Sequence, residues 1–203
     1  MNPCAAVEFR AMAPEVSTAI NPALNSPATQ ALPGYASALQ ASRRGWVTLP
    51  IWCVWVQPPG LDLWSQRWNK AVEISLSKWA QHLQLQRVTN PADAHLRLWR
   101  RNPPLKGERA SNGRALLSFE NVQRGGKAKI EPLVDLLISP GIRQEAIQAT
   151  SLHELGHGFG LWGHSNNPND VMAAIPGAKP VIELSPRDRI TLSWLYGQPS
   201  GFN

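Results

Sequence analysis

His153, Glu154, His157 and His164 are the residues of this chain whose types and spacing could do chemistry. His153 and His157 stand four apart, so on an α-helix both rings leave one face, one turn apart, and can reach one ion. Glu154 is placed to handle the proton of an attacking water rather than to bind metal. Gly160 offers a backbone that can leave the helix and swing His164 toward the same ion. Neutral imidazole suits zinc, and three protein ligands leave a fourth position for water. Iron oxygenase centres prefer two histidines and a carboxylate. The pattern predicts one catalytic Zn2+ and a hydrolytic reaction; neither structural calcium nor a second zinc is indicated.

The elements that must position these residues read as an α+β arrangement. Trp46 to Val56 is an apolar, β-prone run of the kind covered on both faces, ended by Pro58-Pro59-Gly60. Asp62 can cap a helix to about His82, with Trp64, Trp68, Ala71, Val72, Trp79 and Leu83 along one stripe. Ala94, Leu96 and Leu98 alternate with His95 and Arg97, which predicts a half-buried strand with His95 on the surface. Residues 102–112 read as a polar loop, Arg114 to Phe119 as a strand, Gly125-Gly126 as a loop and Leu133 to Ile138 as a further strand. Ser139 and Pro140 are expected to cap and open the motif helix, whose Leu152, Leu155 and Phe159 pack inward. Ser185 and Pro186 open a closing helix that Gly197 ends.

Residues 1–44 are rich in Ala, Pro, Ser and Asn, and Pro14, Pro22, Pro27 and Pro33 interrupt any helix, so they are expected to form a flexible leader or pro-segment. Residues 45–203 then form the catalytic domain, with lobes of about 45–163 and 164–203. Two cysteines give no disulfide framework. Cys53 reads as a small buried hydrophobe and Cys4 as a free thiol, the alternative being a thiolate that holds the zinc latent. No apolar run is long enough to span a membrane, and no clear signal peptide is present. The formal net charge is +6, but the cations are scattered and lack interleaved aromatics. That predicts a solvated basic surface and no specific nucleic-acid partner.

With its glycine and third histidine, the motif resembles that of the metzincin clan of zinc endopeptidases, most nearly the matrixin-like branch. His153, Glu154, His157 and Gly160 fall on the pattern, whereas Gly163 is inserted and delays His164 by one residue. Ser165 follows His164 and Met172 lies eight residues beyond it, as in matrixins, while Asp170 is the reserve third ligand. The resemblance implies a zincin-like catalytic domain with Met172 in a Met-turn beneath the histidines, and a secreted or periplasmic enzyme. It also implies a cleft in which Ala173, Ala174 and Ile175 wall a roomy or apolar pocket just beyond the scissile bond. An extended substrate would pair with Arg114 to Phe119, through Leu116 and Ser118. Protein or peptide is the expected substrate, cleaved with Glu154 as general base. A zincin-fold hydrolase of a non-peptide amide or ester, or a catalytically silent binding protein, are the alternatives.

Overall fold

An unbroken apolar run needs cover on both faces, and the run ending at Val56 receives it: Trp52 to Val56 are all buried. The structure is a computed structural model that describes residues 2–13, 21–22, 32–105 and 111–202. In chain order its strands are β1 (Val7–Met12), β2 (Asn21–Pro22), β3 (Gln40–Ala41), β4 (Trp52–Val56), β5 (Leu85–Arg87), β6 (Leu96–Arg100), β7 (Gly113–Arg124) and β8 (Lys127–Ile138). Its helices are α1 (Leu63–Trp79), α2 (Gln144–Gly158) and α3 (Pro186–Tyr196). One six-stranded sheet has the order β1-β7-β8-β6-β4-β5, and β2 pairs with β3 alone. Within it β4, β5, β6 and β8 run parallel, while β7 is antiparallel to β8 and β1 antiparallel to β7. The described residues therefore form a mixed α+β fold.

Each helix starts where its local chemistry allows. The Asp62 side chain accepts from the Ser65 N–H at 2.8 Å and fixes the start of α1. Trp68, Ala71, Val72 and Trp79 are buried, but Trp64 is 61% exposed beneath the Arg67 guanidinium. Its neighbours Leu61 and Leu63 are exposed too, so the first turn of α1 projects past the core instead of extending the apolar stripe. The motif helix begins later than expected. Ser139 still donates its N–H to the Asn112 carbonyl, an extension of the sheet, so α2 starts at Gln144 after Arg143, which makes no side-chain cap. The indoles of Trp68 and Trp79 donate to the carbonyls of Ile138 and Leu152, and Ser75 Oγ donates to Gln148 O, so these buried polar atoms of α1 are satisfied. Gly125 and Gly126, both at positive φ, make the tight turn that joins β7 to β8.

The N-terminal stretch differs from the expected flexible leader wherever it is described; residues 14–20 and 23–31 lie outside the described residues. Val7–Met12 forms β1, paired along β7 from Glu120 to Arg124. Tyr35, Ala36, Leu39 and Ala41 are buried in the core. The expected free thiol at Cys4 is overturned as well: Cys4 and Cys53 form a disulfide, with Cα atoms 5.5 Å apart, although Cys53 is fully buried as expected. No thiolate is left to reach the histidines, and the bond ties the first residues to β4.

His95 is corrected by the same cover. Alternation does turn it away from the helix-covered face, as expected, yet it is 2% exposed. The N-terminal stretch closes over it: Arg124 donates to the carbonyls of Ala5 and Asp93, and the Val7 N–H donates to the Asp93 carboxylate. His95 Nδ1 accepts from the Cys53 N–H, and Nε2 lies 3.2 Å from Glu131. Burial alone would raise the Glu131 carboxyl, but the hydrogen bond from His95, with the charges of Arg124 and Lys129, holds it well below the usual carboxylate range. This is a structural ion network, well away from the motif. Its disulfide has a measurable consequence. Closing a sequence separation of 49 residues is worth about 4 kcal/mol in the chain-entropy account, so Cys53→Ser should lower unfolding stability by about that amount, read from urea midpoints. An unchanged midpoint would show that the bond does not form.

Candidate metal centre and cleft

α2 carries His153 and His157 on one face, and its C-terminal end delivers His164. The helix stops at Gly158, the chain turns at Gly160, and a side chain there is forbidden twice over. Its φ is +102°, and an added Cβ would lie 2.4 Å from the Val47 carbonyl oxygen. The inserted Gly163 is used differently. Its φ is not positive; instead an added Cβ would lie 2.2 Å from the Ala38 carbonyl oxygen. The extra residue gives the 36–40 stretch a backbone surface to lie on, and the Gln40 N–H donates to Trp162 O at 2.8 Å.

The outcome is a cluster. His153, His157 and His164 each offer one ring nitrogen, all within 4.8 Å of one another, and among the described residues this is the one group of three or more His, Cys, Asp or Glu so arranged. His153 Nδ1 bonds Val171 O and His157 Nδ1 bonds Leu161 O, each at 2.8 Å. A carbonyl only accepts, so both protons sit on Nδ1 and both Nε2 lone pairs are free for a cation. Burial lowers the pKa of all three rings, and for His157 burial with the neighbouring His153 and His164 brings it down to about 3. Three neutral imidazoles, two of them pre-oriented by carbonyls, are a donor set that fits a borderline divalent metal.

Glu154 sits beside this cluster at the foot of β7. An added Cβ at Gly113 would lie 2.6 Å from Glu154 Oε1, so the strand approaches the carboxylate with no side chain between. Burial pushes this carboxyl up to about 8, against a backbone hydrogen bond from Ala115 and the charge of Arg114. Met172 is fully buried under α2, and a Cβ at Gly156 would lie 2.2 Å from its sulfur. The strands on either side are stitched together, since Ser165 N–H donates to Met172 O and Ala174 N–H to Ser165 O. That pairing holds His164 against the Met172 segment.

No protein-family model matches this chain, and no curated protein matches it significantly. The residues must therefore speak for themselves.

Asp170, the reserve ligand, stands apart from the histidines. It is buried, accepts from Ser165 Oγ at 2.5 Å and Ser185 Oγ at 2.7 Å, and pairs with Arg187 Nε at 3.3 Å. Asp188 is buried beside it. Its carboxylate accepts from the Tyr35 hydroxyl at 2.8 Å and from the backbone N–H groups of Val171 and Ser185, closing a capping box with Ser185. Val171 in turn accepts from His153, so a continuous chain of bonds runs Tyr35–Asp188–Val171–His153. His164→Ala should abolish tight zinc binding in calorimetric titration. Asp170→Ala should retain it while losing roughly 3 kcal/mol of stability from three abandoned partners. The reverse result would move the third ligand to Asp170.

Two hollows flank the cluster. One groove is lined by Gly113, Arg114 and Ala115 of β7, the three histidines, Glu154, Gln40, Trp162 and Gly163. A cavity of about 390 Å³ lies on the other side, between α2 and the segment after Met172. Ala173 and Ala174 line that cavity; Ile175 does not and is 80% exposed. Leu116 and Ser118 line neither hollow; Leu116 is exposed, and Ser118 Oγ bonds Leu133 O. Among the described residues no strand pairs with the outer edge of residues 113–118, because β1 joins β7 only from Glu120 onward. Sequence reading missed Tyr35, Gln40, Gly113 and Gly156. The last lay within the motif, where a glycine between two histidines could have signalled close backbone approach.

Proposed function

We propose that this chain is a zinc-dependent endopeptidase with a metzincin-like catalytic domain. The carrying observation is the convergence of three imidazoles beside Glu154, two of them anchored through Nδ1, at the foot of a strand whose outer edge is free among the described residues. The sheet supports the zincin-like reading, with parallel strands flanked by an antiparallel β7 next to the cleft and α2 lying beneath it. Met172, packed on α2 at Gly156, is the counterpart of the Met-turn residue.

His153, His157 and His164 would hold the metal, which supplies Lewis-acid polarisation of the scissile carbonyl and acidifies a water. The free edge of β7 binds the peptide in extended form through main-chain hydrogen bonds. Glu154 accepts the proton of the attacking water on a carboxylate oxygen and returns it to the nitrogen of the leaving amine. The raised affinity of its buried carboxylate for a proton suits that exchange. Val171 O and Leu161 O keep His153 and His157 oriented throughout. The disulfide supports an oxidising compartment, secreted or periplasmic.

Metal analysis of the purified protein together with cleavage of denatured casein tests the proposal. One zinc per chain, activity lost to a chelator and restored by zinc, is the expected result. A zinc-free protein, or cleavage indifferent to the chelator, would reject it.

A further inference from the structure

The cavity between α2 and the segment after Met172 has walls of short side chains, among them Ala146, Ala149, Ala174, Pro176 and Gly177. Four of its lining residues carry charge: Glu154, Asp170, Arg143 and Lys179. Their commitments differ. Asp170 is buried and fully engaged by Ser165, Ser185 and Arg187. Glu154 belongs to the proton chemistry. Arg143 and Lys179 are exposed, and neither makes an ion pair or a side-chain hydrogen bond to another described residue. The acids nearest to them in the chain are not available. Glu145 does not line the cavity, and Glu183 pairs with Lys78.

A hollow walled largely by short side chains, with two unpaired cations, matches a side chain with a short methylene stem and an anionic head. We propose that this cavity selects an acidic substrate residue, Asp or Glu, immediately following the scissile bond. The inference rests on the endopeptidase reading and deepens it, because it names the substrate class. It also revises the expectation of a merely roomy or apolar pocket. The walls fit that description, but Arg143 on α2 and Lys179 on the loop give it a sign. Neither cation is needed by the fold, since Arg143 makes no cap bond and Lys179 pairs with nothing described.

Three internally quenched peptides differing only at the residue after the cleaved bond, Glu, Gln or Lys, test it with the zinc-loaded protein. Wild type should favour Glu over Lys by roughly ten-fold in kcat/KM, the scale expected of two partly exposed charge pairs. Arg143→Glu with Lys179→Glu should reverse that order. Binding of the same peptides to Glu154→Gln, followed by fluorescence anisotropy, should rank Glu above Lys, with the difference shrinking as salt is raised. Equal cleavage of all three peptides, or an order untouched by the double charge reversal, overturns the acidic preference and leaves the peptidase reading standing. Failure to cleave any peptide or denatured protein would remove both.

Discussion

Glu154→Gln should keep one zinc per chain and lose peptide hydrolysis by roughly two to four orders of magnitude, the usual worth of a positioned general base. The substitution is nearly isosteric, which matters here because β7 comes down on the side chain at Gly113 with no slack. A glutamine oxygen can still accept the hydrogen bond from Ala115, so the local packing survives. His153 and His157 are held by the carbonyls of Val171 and Leu161 and not by Glu154, so the metal site should survive as well. Only the capacity to take up a proton disappears. Metal content by mass spectrometry and kcat/KM on one peptide read the two halves separately. A variant cleaving within ten-fold of wild type would exclude Glu154 as the base, and a variant that lost its zinc would mean that the carboxylate helps to build the site.

A fragment beginning at Trp46 should fail to fold cooperatively. Composition suggested a flexible leader or pro-segment up to residue 44, but removing it takes away the disulfide, β1 and the buried Tyr35, Leu39 and Ala41. The disulfide alone is worth about 4 kcal/mol. Burying Leu39 and Tyr35 adds about 2 kcal/mol each. Exposing the Asp188 carboxylate's partner position and the surface under Gly163 adds to that, and a domain has only about 5–15 kcal/mol to lose. Circular dichroism and thermal melts of the fragment should show no sharp transition and no zinc-dependent stabilisation. A fragment that melted cooperatively and still bound zinc would restore the leader reading.

Legibility followed the range of the interactions. The ligand pair was readable because four residues along a helix make one turn, whatever the rest of the chain does. The α3 capping box was readable for the same reason, and so was the start of α1 at Asp62. What escaped were contacts between distant parts of the sequence. Nothing near Cys4 announces Cys53, and the alternation that placed His95 off one face could not show that the first residues cover the other. Gly163 looked like an insertion that only delays His164; the position of Ala38 shows that it is a seat. The α2 start was misplaced because Ser139 and Pro140 offer good cap chemistry while Ser139 is still bound to the sheet through Asn112.

The bond chain from Tyr35 to His153 also imposes an order in time. One of its members, Asp188, lies in the last helix, and Ser200 beyond that helix bonds Trp46 and Thr48. A chain still being synthesised holds both histidines of α2 long before it owns Asp188 or Ser200. Contacts of such sequence separation form late, after local helices and hairpins. The histidine cluster therefore gains its last supporting contacts only once α3 is in place.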